Sequence, residues 1–314
     1  MFQGTITLNE DFEAEVSCGR LRKAMKGLGT DFPAITREVT ACQNLQRQAV
    51  REAYATHGRD LLKDLQEELA GTYSDTILAL FAAPYDLLVA ALHHAFTRMG
   101  TNEKMVIDIL CCRTSEEIES LKQHYKKRYN ESLDEQLESE LSGDFRILMR
   151  SLVASERDQN QTVDPAKAKA DAQALYDAGV GTHTEEDTED FITVFKSRSF
   201  PQLGEILEQY QRLAGRPIQD AIKEEFNGDM QIGLLAIVQR VRDPLGFYAE
   251  RVNQTLAGPG TDDKALIRIL VSRSEIDLEG IKERYKELYG RELSDDVKDD
   301  TRGEYQKLLL AIIN

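Results

Sequence analysis

Apolar residues in this chain recur three or four positions apart, without the β-branched alternation of a half-buried strand. Ile118, Leu121, Tyr125 and Tyr129 mark one such helical face. The pattern itself repeats. A glycine, any residue and then an aromatic residue or methionine lead into a helical run at Gly71-Thr72-Tyr73, Gly143-Asp144-Phe145, Gly228-Asp229-Met230 and Gly303-Glu304-Tyr305, at intervals of 72, 85 and 75 residues. A second, unrelated marker keeps the same period: VIDILCCRT from Val106, FITVFKSRS from Phe191 and LIRILVSRS from Leu266 lie 85 and 75 apart. The matching stretch in the first copy starts at Ile35, 71 before Val106, so that copy is one residue shorter between its markers, in the segment YATHGRDLL; Cys42 replaces the marker arginine there. Self-similarity on this scale predicts an all-α chain of four helical bundles. The copies fall at 11–84, 85–155, 168–243 and 244–314, with a short tail at 1–10 and a polar linker at 156–167 that accounts for the longer interval.

Composition agrees with helix. The 314 residues include 7 Pro, 20 Gly and no Trp, and 41% are hydrophobic, enough for a large core. A net charge of −16 opposes unaided contact with nucleic acid or an anionic membrane, so a nucleic-acid partner is not expected and a membrane partner requires a bridging cation. No apolar run approaches the roughly 20 residues of a membrane-spanning helix, and the first residues have no secretory character. Four cysteines without paired metal spacing fit a reducing compartment, and a cytoplasmic location is expected.

Three of the four copies open on a glycine-threonine loop between two helices: Met25-Lys26-Gly27-Leu28-Gly29-Thr30, Phe96-Thr97-Arg98-Met99-Gly100-Thr101 and Leu256-Ala257-Gly258-Pro259-Gly260-Thr261. Glycine as a helix stop and threonine as the cap of the next helix would account for each loop alone. They do not account for the acid that follows each threonine by 38 or 39 residues, Glu68, Glu140 and Asp300, three before the repeat's glycine. Calcium accounts for both, because this hard cation takes about 6 to 8 oxygens. Three loop carbonyls and a bidentate carboxylate supply five, leaving room for water or a phospholipid phosphate.

With four such repeats, KGLGTD, the distant carboxylate and VSRSEIDL, the sequence resembles an annexin over essentially its whole length. The resemblance implies a curved disk of four five-helix repeats and calcium-dependent, reversible, peripheral binding to acidic phospholipid, with lateral self-assembly on the membrane in many members. It also implies the ligands. Repeat one offers the carbonyls of Met25, Gly27 and Gly29 with the side chain of Glu68, and repeat four those of Leu256, Gly258 and Gly260 with Asp300. Repeat two offers Phe96, Arg98 and Gly100 with Glu140, but Arg98 stands where the family has its first glycine, and an altered site is expected.

Repeat three is out of register. Its Gly179-Val180-Gly181-Thr182 lies four residues early, so Glu225 follows Thr182 by 43, and a site from Gly179, Gly181 and Glu225 requires an extended helix or a loop rebuilt with Glu185, Glu186 and Asp187. Leu28, Met99 and Pro259 at the loop apices are candidates for membrane contact. The ion path associated with some annexins keeps its arginines at Arg113 and Arg273 but has Leu88 and Ala91 in place of acids. No nucleophile elbow, P-loop or HExxH occurs among these residues, no zinc site is expected from the five histidines, and no enzymatic activity is expected. The rival reading is an annexin-like helical scaffold for protein contacts that ignores calcium.

Overall fold

A computed structural model describes residues 3–26, 29–154, 157–179, 185–258 and 260–314, and of 185–187 the backbone alone. Among the described residues every regular element is an α-helix, and the helices come five to a repeat. The first of each five are α1 (Ala14–Ala24), α6 (Pro84–Thr97), α11 (Pro165–Ala178) and α16 (Pro244–Leu256). The second are α2 (Phe32–Thr40), α7 (Glu103–Leu110), α12 (Glu185–Ser197) and α17 (Asp263–Arg273). The third are α3 (Asn44–Ala55), α8 (Ser115–Tyr129), α13 (Phe200–Ala214) and α18 (Leu278–Tyr289). The fourth are α4 (Leu61–Glu68), α9 (Leu133–Glu140), α14 (Ile218–Glu225) and α19 (Leu293–Asp300), and the fifth α5 (Gly71–Phe81), α10 (Gly143–Ala154), α15 (Gly228–Arg242) and α20 (Gly303–Ile313).

Local chemistry sets these boundaries. Thr114 and Glu117 form a reciprocal capping box at the start of α8, and Ser199 accepts from the Gln202 amide to open α13. The third helices end on left-handed residues, Asn130 (φ 57°), Gly215 (φ 70°) and Gly290 (φ 68°), each five after a buried tyrosine. In repeat one Gly58 (φ 71°) makes that turn four after Tyr54, which locates the missing residue at the end of α3. Between the fourth and fifth helices an extended residue, Leu69, Leu141, Phe226 or Thr301, breaks the helix immediately after the acid. Gly71, Gly143, Gly228 and Gly303 then take φ from 55° to 66°. A Cβ on any of the four would meet nothing within 4 Å, so backbone conformation, not space, demands glycine there.

The chain divides into two compact units, one of residues 1–87 and 245–314 and the other of 88–244. Repeat one therefore packs with repeat four, and repeat two with repeat three. Each unit uses one scheme: the second helix of either repeat lies against the fifth helix of the other, α2 on α20 and α17 on α5 in the first unit, α7 on α15 and α12 on α10 in the second. Ile35, Ile77, Leu270 and Leu308 are fully buried on the helices of the first unit's pairings, and Val106, Leu148, Phe191 and Leu234 on those of the second. Each such side chain contributes on the order of 1.5–3 kcal/mol from burial. At α15 a Cβ on Gly233 would lie 3.1 Å from Leu148, so glycine permits the close approach of α10.

The first unit is further tied by its ends. Thr5 donates to the Ile312 carbonyl at 2.6 Å and the Ile6 amide to Ser274 at 2.9 Å, laying the N-terminal segment on repeat four. Arg47, 2% exposed, donates to the carbonyls of Leu80 (2.7 Å), Val39 (2.9 Å) and Cys42, and pairs with Glu275 at 2.6 Å. Repeat one thus supplies from α3 a buried guanidinium near the end of α2, where Cys42 replaces the arginine of the other copies.

Candidate functional site

Three loops close in one way. The amides of Asp31, Asn102 and Asp262 donate at 3.0 Å to the carbonyls of Ala24, Ala95 and Thr255, each seven residues back. Gly29 (φ 96°), Gly100 (φ 79°) and Gly260 (φ 92°) take the positive φ that turns the chain. The next helix is capped by Asp31, Asn102 or Asp262, whose side chains accept from Ala34, Met105 and Ala265 at 3.0–3.1 Å. The threonines therefore do not cap it, contrary to the simplest reading of the loop. Their hydroxyls reach across the repeat instead. Thr30 donates to the Glu68 carboxylate, and Thr261 to the Asp300 carboxylate at 2.5 Å. In repeat two, Thr101 donates to the backbone carbonyl of Glu140 at 3.1 Å. Sequence spacing joined loop and acid but gave no sign of this hydroxyl, because spacing relates positions and not the atoms that meet.

Met25 caps the end of α1 and is half-buried, Gly29 and Glu68 are exposed, and Gly27 and Leu28 lie outside the described residues. Leu256 ends α16 and is buried, Gly258 and Gly260 are exposed, Asp300 is half-buried, and Pro259 lies outside the described residues. Phe96 is buried in α6, whereas Arg98, Gly100 and Glu140 are exposed and Met99 is wholly so. Gly258 has φ 138°, a conformation closed to Arg98 at the equivalent position; among the described residues Asn130 is the one non-glycine with positive φ. Loop two therefore departs from loop four where the arginine stands.

Repeat three departs differently. Gly179 caps α11 with φ −90°, and a Cβ there would crowd the Leu175 carbonyl at 3.2 Å, while Gly181 lies outside the described residues. Helix α12 begins six residues before its marker at Phe191, whereas α2, α7 and α17 begin three before theirs. Of the two possibilities the spacing left open, the helix is extended. Glu225 keeps the position of the other acids, as the last residue of its fourth helix, and is half-buried.

A second device also separates the repeats. Beside the acid of repeat one, Tyr54 donates to Asp64 at 2.5 Å and Arg59 pairs with the same carboxylate at 2.7 Å. The Arg59 hydrogen bond first, and that of Tyr54 next, hold the Asp64 carboxyl below its ordinary range, while burial foremost pushes the Tyr54 phenol up to about 12. Repeat four duplicates the set in register, with Tyr285 donating to Asp296 at 2.6 Å and Arg291 at 2.9 Å from it. The matching fourth-helix positions in repeats two and three are Gln136 and Ala221.

Around loop one, Arg22, Lys23, Lys26 and Arg59 line a cleft of about 650 Å³ that also includes Met25 and Glu68. A Cβ placed on Gly29, Gly100, Gly258 or Gly260 would meet nothing within 4 Å, so the loops face open space. Accessible oxygen donors, one carboxylate to a loop and room for a further ligand fit a hard cation such as calcium better than a metal that requires nitrogen or sulfur.

The annexin family's sequence profile matches residues 17–80, 88–152, 170–237 and 247–312. Homo sapiens annexin A7 is 40% identical over 312 residues, 99% of this chain, which spans 64% of that protein's length; for Homo sapiens annexin A11 the span is 61%. Homo sapiens annexin A13 is 36% identical over 97% of this chain and 96% of its own. Among solved structures, annexin III superposes with a TM-score of 0.96 at 38% identity, covering 99% of this chain and 97% of its own. A calcium-bound annexin (Sm)1 superposes at 0.90 with 28% identity, covering 100% and 94%. Four matched repeats and likeness along nearly the whole chain place this protein in the annexin family.

Proposed function

We propose that this protein binds acidic phospholipid membranes peripherally and reversibly, using calcium held by the loops of repeats one and four. The carbonyls of Met25, Gly27 and Gly29 with Glu68, and those of Leu256, Gly258 and Gly260 with Asp300, would hold the ions. Phe96, Arg98, Gly100 and Glu140 form a weaker set, and Gly179, Gly181 and Glu225 the weakest. Bound calcium supplies positive charge with open coordination positions, which phosphate oxygens of a lipid can fill. The protein's own cations add to this at loop one, where Arg22, Lys23, Lys26 and Arg59 surround the cleft beside Glu68. Exposed Met99 would enter the interfacial zone, as would Leu28 and Pro259.

The observation that carries this reading is the threonine hydroxyl set on the acid's carboxylate in repeats one and four. It joins two remote segments and orients the carboxylate beside the loop. The chain is read as a membrane-binding protein of the cytoplasm and not as an enzyme, built of four repeats at 11–84, 85–155, 168–243 and 244–314, and lateral assembly on the bilayer follows from the same reading. Sedimentation with phosphatidylserine vesicles tests it. The protein should pellet with vesicles in calcium and remain in solution in chelator; equal pelleting in both buffers would favour the calcium-insensitive scaffold instead.

A further inference from the structure

Repeat one holds a second group of donors whose chemistry differs from that of the loops. Glu15 and Cys18 stand one turn apart on α1, and the turn after α3 brings His57 to them. A carboxylate oxygen, the thiol sulfur and an imidazole nitrogen all lie within 4.8 Å of one another, with Nε2 of His57 3.7 Å from Oε2 of Glu15. Among the described residues no other three side chains of these types converge so closely. Cys18 is wholly buried, while Glu15 and His57 are exposed above it.

We propose that Glu15, Cys18 and His57 form a binding site for a borderline-soft divalent metal of the zinc type, separate from the oxygen-donor loops. One thiolate, one imidazole and one carboxylate match the donors zinc prefers and disfavour calcium. Metal–ligand distances of about 2.0–2.3 Å require the donors to close by roughly 1 Å, which the exposed side chains of Glu15 and His57 can supply by small rotations. Three protein ligands leave the fourth position to water, and the thiol gives its proton to solvent as the metal takes its place.

The packing of α1 does not itself call for this trio. Adding the loop offsets of 71 and 231 residues to Cys18 gives Val89 and Ala249, both wholly buried, so an apolar residue serves the same packing position elsewhere. His57 arrives through the shortened end of α3, immediately before left-handed Gly58; the residues before the corresponding turns are Tyr129, Ala214 and Tyr289. The donors thus occur together where repeat one differs from the others. A metal bound there would pin α1, whose end opens the first calcium loop, to the turn between α3 and α4.

Competition between the full chain and a chromophoric chelator for Zn²⁺, run in saturating calcium so that the oxygen sites are filled, tests the site. One zinc should bind per chain, and Co²⁺ in its place should show thiolate charge-transfer absorption in the near ultraviolet. His57→Gln and Glu15→Gln should each weaken zinc by at least about tenfold while leaving calcium-dependent vesicle binding unchanged, and Cys18→Ala should remove the cobalt band. Absence of zinc binding in calcium, or affinity unchanged in the His57 and Glu15 variants, would overturn the proposal. Those two exposed positions keep the test decisive if Cys18→Ala does not fold.

Discussion

Repeats one and four share one packed unit and share their site chemistry: a threonine on the acid's carboxylate, and a Tyr-Asp-Arg set from the third helix, the fourth helix and the turn between them. Repeats two and three share the other unit and differ from them in separate ways, one by an arginine in the loop and a threonine turned to backbone, the other by an extended α12. Yet the two units use the same pairing of second and fifth helices. Packing of the repeats therefore does not depend on an intact loop. The fourth helix ends on its acid in all four repeats, whatever the form of the loop, because the break after it and the following glycine are set by local backbone conformation.

The largest expected difference between the units is in stability. Arg47→Ala removes the donor to three carbonyls, of which Leu80 keeps the Asn44 side chain, and leaves Glu275 without its cation, and should cost about 3 kcal/mol in the first unit, measured by urea unfolding followed by circular dichroism. Arg198→Ala in the second unit removes a pair with Asp171 that is partly exposed, and should cost about 1–2 kcal/mol. Equal losses would erase that contrast. Next in size, Met99→Glu should weaken vesicle affinity by about three- to tenfold through lost burial and added repulsion, without lowering the melting temperature in chelator. A fall in melting temperature alone would assign Met99 to packing.

Smaller again, Thr261→Val should raise the calcium needed for vesicle binding by about fivefold, near 1 kcal/mol, whereas Thr101→Val, whose hydroxyl meets only the backbone of Glu140, should change it less. The smallest effect is in acid. Because the folded-state pKa of Asp64 is depressed, its contribution to stability is present above the ordinary carboxylate value of about 3.9 and is lost as pH falls through the depressed value. The difference in urea midpoint between the protein and Asp64→Asn should therefore shrink toward low pH. A difference that grew in acid would reverse the sign assigned here.

The helical class, the four copies and the register of loop and acid are all legible in the sequence, because each is periodic or local. Partnership between repeats is not, since Ile35 and Leu308 read as core residues without saying which helix they meet. The threonine hydroxyls escape because the recurring spacing of threonine and acid does not say which atoms meet, and the meeting of Cys18 with His57 because no recurring spacing links that pair. Arg47 was hidden in another way, because the marker arginine is replaced five residues earlier by Cys42 and its buried charge enters from a different helix. In repeat three the spacing showed displacement but not its form, which depends on whether Glu185 to Asp187 join the helix or the loop.

The central claim, that calcium-dependent membrane binding rests on repeats one and four, is tested most directly by a calcium titration of phosphatidylserine-vesicle binding with two double variants. Glu68→Gln with Asp300→Asn should move the calcium midpoint upward by about tenfold or more, and Glu140→Gln with Glu225→Gln by less than about threefold. Both should retain the helical content of the parent protein. A larger shift from the second pair would contradict the account and transfer the membrane-binding role to repeats two and three.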